Sequence, residues 1–204
     1  MDYIYQQFLS IFLLLFSVVI HEYAHGYAAL TQGDDTARLS GRLTLNPLAH
    51  LDPVGSLLVP LLLILSRSRV LIGWAKPVPI NPLRFRDMDY GTVLVSFAGP
   101  FTNLILGTVF ALAYRMFPHV QPVSSVFLLG SLINFWLAFF NLVPIPPLDG
   151  SRILSVFLPF QWKWSFLRLE RYGMIIILLL LYSGLLGWIS SLANFLVSWL
   201  ANVR

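Results

Sequence analysis

The chain has 204 residues, 57% of them hydrophobic and only 11% charged, against about 25% charged in ordinary soluble domains. With a mean hydropathy of +0.77, it reads as a single-domain integral membrane protein, residues 1–204, with almost nothing left over for a soluble domain. The net charge of +4 then serves as a topology signal rather than a nucleic-acid footprint, and the lack of cysteine excludes disulfides, thiolate zinc sites, iron–sulfur clusters and a cysteine nucleophile.

The first apolar segment, residues 4–30, is long enough to cross a bilayer. No basic n-region or small-residue cleavage site marks it as a signal peptide, and cleavage after it would discard the motif it carries. In its last third stands His21-Glu22-Tyr23-Ala24-His25, an H-E-x-x-H pattern. On a helix, positions i and i+4 share a face, so His21 and His25 can point two imidazoles at one ion. Glu22 beside them can hold and deprotonate a water there, the arrangement of a metallohydrolase with two histidines, one further ligand and an open position. The bland alternative is a chance match on a helix with two satisfied histidines. It loses weight because ionisable groups inside an apolar segment are costly and functional by default. Arg38 and Arg42 follow the motif and no basic residue precedes it, which places the N-terminus outside and the motif near the cytoplasmic face.

Residues 36–45 alternate weakly and read as a short strand or hairpin. Asp34, Asp35 and Asp52 lie in loops and read as solvated, and His50 sits in a polar loop. The apolar run 54–65 is short for a crossing, so it is tilted, re-entrant or incomplete. Gly73 to Pro82 cannot be helix, because its prolines remove donors and bias their neighbours to extended backbone. Near a membrane such backbone needs protein or a cavity over it.

A third apolar segment, residues 91–114, contains Ala98-Gly99-Pro100 and Asn103. A fourth, residues 123–143, is broken by Pro144, Pro146 and Pro147 just before Asp149. Counting crossings puts Asp149 on the same side as His21 and His25 and His119 on the other, so Asp149 is the candidate third ligand. The alternative is a plain helix N-cap over Ser151. Beyond it, residues 161–171 are amphipathic and basic with Trp162 and Trp164, as suits a cytoplasmic interface. Residues 172–200 exceed one upright helix, and Gly184 and Gly187 are where the run divides.

The H-E-x-x-H motif, paired with Asn141-Leu142-Val143-Pro144-Ile145-Pro146-Pro147-Leu148-Asp149-Gly150, resembles the site-2 protease family of intramembrane metalloproteases, whose pattern is N-x-x-P-x-P-x-x-D-G. Gly73 to Pro82 and Ala98 to Asn103 are also similar to its compact prokaryotic branch, which lacks PDZ and CBS domains. The resemblance covers most of the chain, to about residue 153. It implies one zinc ion bound by His21, His25 and Asp149, with Glu22 as general base. It also implies that Asn103 lies near the site and assists substrate or transition-state binding; the alternative for Asn103 is an interhelical hydrogen bond. Asn141 is read as bracing the broken helix and is grouped with Trp74 and Pro77 on the substrate-binding side.

The expected architecture is an all-α polytopic membrane protein with four to six transmembrane helices and a small β hairpin or extended membrane-associated segment. The expected activity is hydrolysis of membrane-anchored proteins within or near their transmembrane segments, in a prokaryotic cell (inner) membrane. The substrate would unwind and pair as an extended strand with an exposed edge, near residues 38–45 or in Gly73 to Pro82. Three rivals remain. A transporter or channel would need the polar residues to line an ion path, but no inverted repeat is visible. A catalytically inactive membrane-protein binder is disfavoured by the intact Glu22 and ligand set. A prenyl-protein protease would need a Glu ligand on another helix.

Overall fold

A chain this apolar must satisfy its backbone polar groups internally, and helices do so segment by segment. The computed structural model describes residues 3–66 and 76–203. Among the described residues the regular elements are α1 (Tyr3–Thr31), α2 (Thr36–Leu39), α3 (Val59–Leu65), α4 (Met88–Met116), α5 (Val123–Leu142), α6 (Asp149–Phe157), α7 (Phe160–Leu167), α8 (Gly173–Tyr182) and α9 (Gly187–Ala201), joined by short 3₁₀ turns and one π turn.

Three of these, α1, α4 and α5, are long and apolar enough to cross a bilayer, and the Phe160–Tyr182 and Gly187–Ala201 pair makes a fourth if its 69° bend is one broken span. The count of three to four meets only the lower end of the four to six expected. The shortfall lies partly in the run 54–65, where a π turn leads into α3, whose 7 residues rise only about 10 Å. The last apolar stretch does divide near its glycines: Gly184 adopts φ +74°, which a side chain would strain.

Small residues bring the spans together. A Cβ on Gly107 of α4 would stand 3.0 Å from the ring of Phe135 on α5, and one on Gly130 of α5 would stand 3.1 Å from Phe110 on α4. Ser131 Oγ on α5 donates to the Gly107 carbonyl at 2.8 Å. Close backbone approach with interhelical hydrogen bonds is how helices associate in lipid, where apolar burial drives little. α4 packs along both α1 and α5, and α9 closes the far side through Ala193 and Val197 against Phe135.

The expected hairpin at residues 36–45 is not there, and no strand occurs among the described residues. The Asp34 carboxylate accepts the Thr36 N–H at 3.0 Å and the Thr36 hydroxyl, which starts the turn of α2. Leu39 and Ser40 then donate to the carbonyls of Asp35 and Thr36, and Gly41 at φ +67° ends the turn. A two-residue alternation over ten positions is weaker than a local cap that satisfies helical donors.

The extended segment is there in part. Residues 76–81 carry no helix, while Gly73 and Trp74 lie outside the described residues. Lys76 N–H donates to the His50 carbonyl at 2.9 Å. Arg42 donates to the carbonyls of Lys76 at 2.6 Å and Pro77 at 3.3 Å, and Asn81 N–H reaches Asp34 Oδ2 at 2.6 Å. One sequence expectation is corrected here. Asp34 is fully buried rather than solvated, and His50, read only as lying in a polar loop, is fully buried too, because each is an anchor for this segment and its flanking turns. His50 also meets the Thr44 carbonyl through Nε2 at 2.8 Å.

Candidate metal centre

His21 and His25 lie one turn apart on α1, about 15 Å and about 9 Å of helix before its end at Thr31. Asp149 opens α6 just beyond the proline-broken end of α5. Its carboxylate does not cap the helix it opens. Asp149 Oδ2 lies 3.2 Å from His21 Nε2 and 3.2 Å from His25 Nε2, and the two Nε2 atoms are 3.0 Å apart. Zinc bonds of about 2.0–2.2 Å in a tetrahedral array hold ligand atoms about 3.3–3.5 Å from one another. The triangle matches that spacing to within a few tenths of an ångström.

The outer shell agrees. His25 Nδ1 is 2.7 Å from the Val95 carbonyl and His21 Nδ1 is 2.5 Å from Asn103 Oδ1. A ring that donates Nδ1–H outward leaves its Nε2 lone pair for an ion. Asp149 Oδ2 is buried without a hydrogen-bond partner, a costly state for a carboxylate unless a cation completes it. The residues therefore fit a zinc ion. α4 makes room for them: a Cβ on Gly99 would collide with both imidazoles, standing 2.6 Å from His21 Nε2.

The three groups open onto a cavity of about 260 Å³ that is also lined by Glu22, Pro77, Val78, Ile80, Asn141 and Arg152. Glu22 Oε2 accepts the Val78 N–H at 2.7 Å, so the extended segment lies against this carboxylate. Asn141 donates to the Leu137 carbonyl one turn back at 3.0 Å, which leaves its amide at the cavity wall. Of the residues singled out from sequence, His21, Glu22, His25, Pro77, Asn141 and Asp149 thus meet around one cavity. Asn103 stands behind His21, fully buried, and is not among the cavity-lining residues. Ser17 and Asn134, which hold Asn103, escaped sequence reading. Asn134 was findable as an amide inside an apolar span.

Comparison with known proteins points to a peptidase family. The model of peptidase family M50 matches residues 117–183, a stretch that contains Asp149. The protein named "Putative zinc metalloprotease YwhC" of Bacillus subtilis is 39% identical over 181 residues, 84% of this chain and 79% of the relative. "Putative zinc metalloprotease Rip2" of Mycolicibacterium smegmatis is 31% identical over 176 residues, 85% of this chain and 66% of the relative. "Zinc metalloprotease MJ0392" of Methanocaldococcus jannaschii is 27% identical over 183 residues, 87% of this chain and 43% of the relative. No solved structure gives a significant match. With apolar spanning helices, a His-His-Asp cluster and a relative this similar over most of both chains, the protein belongs to peptidase family M50, the site-2 proteases.

Proposed function

We propose that the protein is an intramembrane zinc endopeptidase in which His21, His25 and Asp149 hold one zinc ion and Glu22 is the general base. The observation that carries this reading is the buried Asp149 Oδ2, without a hydrogen-bond partner and set 3.2 Å from two imidazole nitrogens. When bound, zinc supplies Lewis-acid polarisation of the scissile carbonyl and lowers the pKa of a coordinated water toward about 7. Glu22 takes the proton of the attacking water and passes it to the leaving amine. The walls of α1, α4 and α6 keep the lipid away, so water enters through the polar cavity. Asn103 orients His21 from behind, and Asn141 and Pro77 border the substrate.

The substrate is a membrane-anchored protein whose helix opens locally and lies as an extended strand along residues 76–81. In an extended strand, residues i and i+2 direct their N–H and C=O groups to one edge. Val78 already faces Glu22, so Val78 and Ile80 form the edge at the cavity. Pro77 and Pro79 turn the other edge out with no N–H to offer. The site faces the cytoplasmic side of a prokaryotic inner membrane, with the N-terminus outside, as Arg38 and Arg42 after α1 favour.

Zinc analysis together with cleavage of a model single-pass protein tests the assignment. Native protein should hold one zinc and cut. Glu22→Gln should keep the zinc and lose about 10²–10⁴-fold in turnover. Purified native protein without zinc, or a Glu22→Gln variant that still cuts at the native rate, would refute it.

A further inference from the structure

Which nitrogen of His21 carries the proton decides whether its cavity-facing nitrogen can bind a metal. His25 settles this locally, because Nδ1 faces a main-chain carbonyl, that of Val95. His21 instead faces Asn103 Oδ1, and an amide can present either end. Something beyond Asn103 must set its direction.

We propose that Asn134, seconded by Ser17, sets it: these two residues and Asn103 form a one-way chain of hydrogen bonds that commits His21 to carrying its proton on Nδ1. The inference rests on the reading of His21 as a metal ligand. Its starting point is a group that cannot turn round, the Gly130 main-chain carbonyl, which lies 2.8 Å from one terminal atom of the Asn134 side chain. That atom must be the NH₂. The same NH₂ donates to Ser17 Oγ at 2.8 Å, and the Ser17 hydroxyl hydrogen is already given to the Leu13 carbonyl at 2.7 Å. Asn134 Oδ1 therefore points at Asn103 and accepts from Asn103 Nδ2 at 2.8 Å. Asn103 Nδ2 is also 3.4 Å from the Ser17 main-chain carbonyl, which opposes a flip there too. Asn103 Oδ1 is left for His21, an acceptor that requires Nδ1–H.

Reversal would press Asn134 Oδ1 against the Gly130 carbonyl with no hydrogen between them. Ser17, Asn103 and Asn134 are all fully buried, so no water can relieve such a pair. The chain ties α1, α4 and α5 together as it runs. Neither Ser17 nor Asn134 borders the cavity; Asn134 is the positioning residue, acting through Asn103, and the Ser17 hydroxyl only receives its second N–H.

The test reads the ring nitrogens of His21 in metal-free, ¹⁵N-histidine-labelled protein in bicelles, and separately the zinc dissociation constant by chelator competition. Native His21 should be protonated on Nδ1 alone. Asn134→Leu should give a mixture of tautomers and weaken zinc by about 10–100-fold. Ser17→Ala, which leaves the Gly130 carbonyl in place, should keep the native tautomer. A native ring protonated on Nε2, or an Asn134→Leu variant that folds and keeps the native tautomer, overturns the proposal. The native spectrum decides even where Asn134→Leu does not fold. Native protein that shows Nδ1–H yet binds no zinc supports the chain of hydrogen bonds and refutes the hydrolase reading instead.

Discussion

Asp34 shows how much a single side chain can organise outside the site itself. Burial alone would push its carboxyl up. The amide of Asn81 and the amide and hydroxyl of Thr36 outweigh that and hold it below the ordinary carboxylate range. A carboxyl whose folded pKa is lowered stabilises the fold above its unfolded pKa, and that contribution is lost as pH falls through the lowered value. Asp34→Asn should therefore cost about 1.5–3 kcal/mol at neutral pH, read as a drop in thermal midpoint. The gap to native should close below about pH 3.9, the ordinary aspartate value. A gap independent of pH would show that the charge is not what matters. In the sequence this residue looks like half of a solvated Asp34-Asp35 pair, since nothing local reveals that Asn81 will arrive to meet it.

At the scale of elements, the segment of residues 76–81 is the part of the fold that gives the cavity a directional wall. Its non-helical character was legible, because Pro77, Pro79 and Pro82 deny it the donors a helix or a central strand needs. Its neighbours were not: Arg42, His50, Asp34 and Glu22 come from three separate stretches of chain. If the edge carried by Val78 and Ile80 receives substrate, Ile80→Pro removes a pairing donor at about one hydrogen bond's cost, on the order of 1 kcal/mol in the bound state plus the register it fixes. Cleavage of the model substrate should fall roughly tenfold or more while zinc content stays native. Native cleavage by Ile80→Pro would rule out strand pairing at this edge. The hairpin expected upstream failed for a reason at this same scale, since the Asp34 carboxylate holds Thr36 in the turn that opens α2.

For the whole molecule, the candidate ligands converge because α1 and α5 end on the side where α4 begins, so that His21, Asp149 and Gly99 meet. The exposed belt of Trp162, Trp164, Arg168 and Arg171 after α6 then lies beyond the site, on the side assigned to the cytoplasm. The lack of native cysteine makes this directly measurable. A cysteine at Arg168 should react with an impermeant reagent only in inverted vesicles, and one at His119 only in intact cells. Labelling of both from one side would overturn the proposed orientation.

Membrane residence, the helical class and the candidate cluster of His21, His25 and Asp149, which the structure brings together, could all be read along the chain. Each follows from hydropathy, from the i, i+4 geometry of a helix or from proline chemistry, which are local or additive properties. The support around that centre could not be read. Asn134 holding Asn103, Gly99 flush against two imidazoles and Asp34 holding Asn81 all join residues far apart in the chain. A polar group inside a span announces that it needs a partner, but which partner it finds depends on how the helices pack against one another.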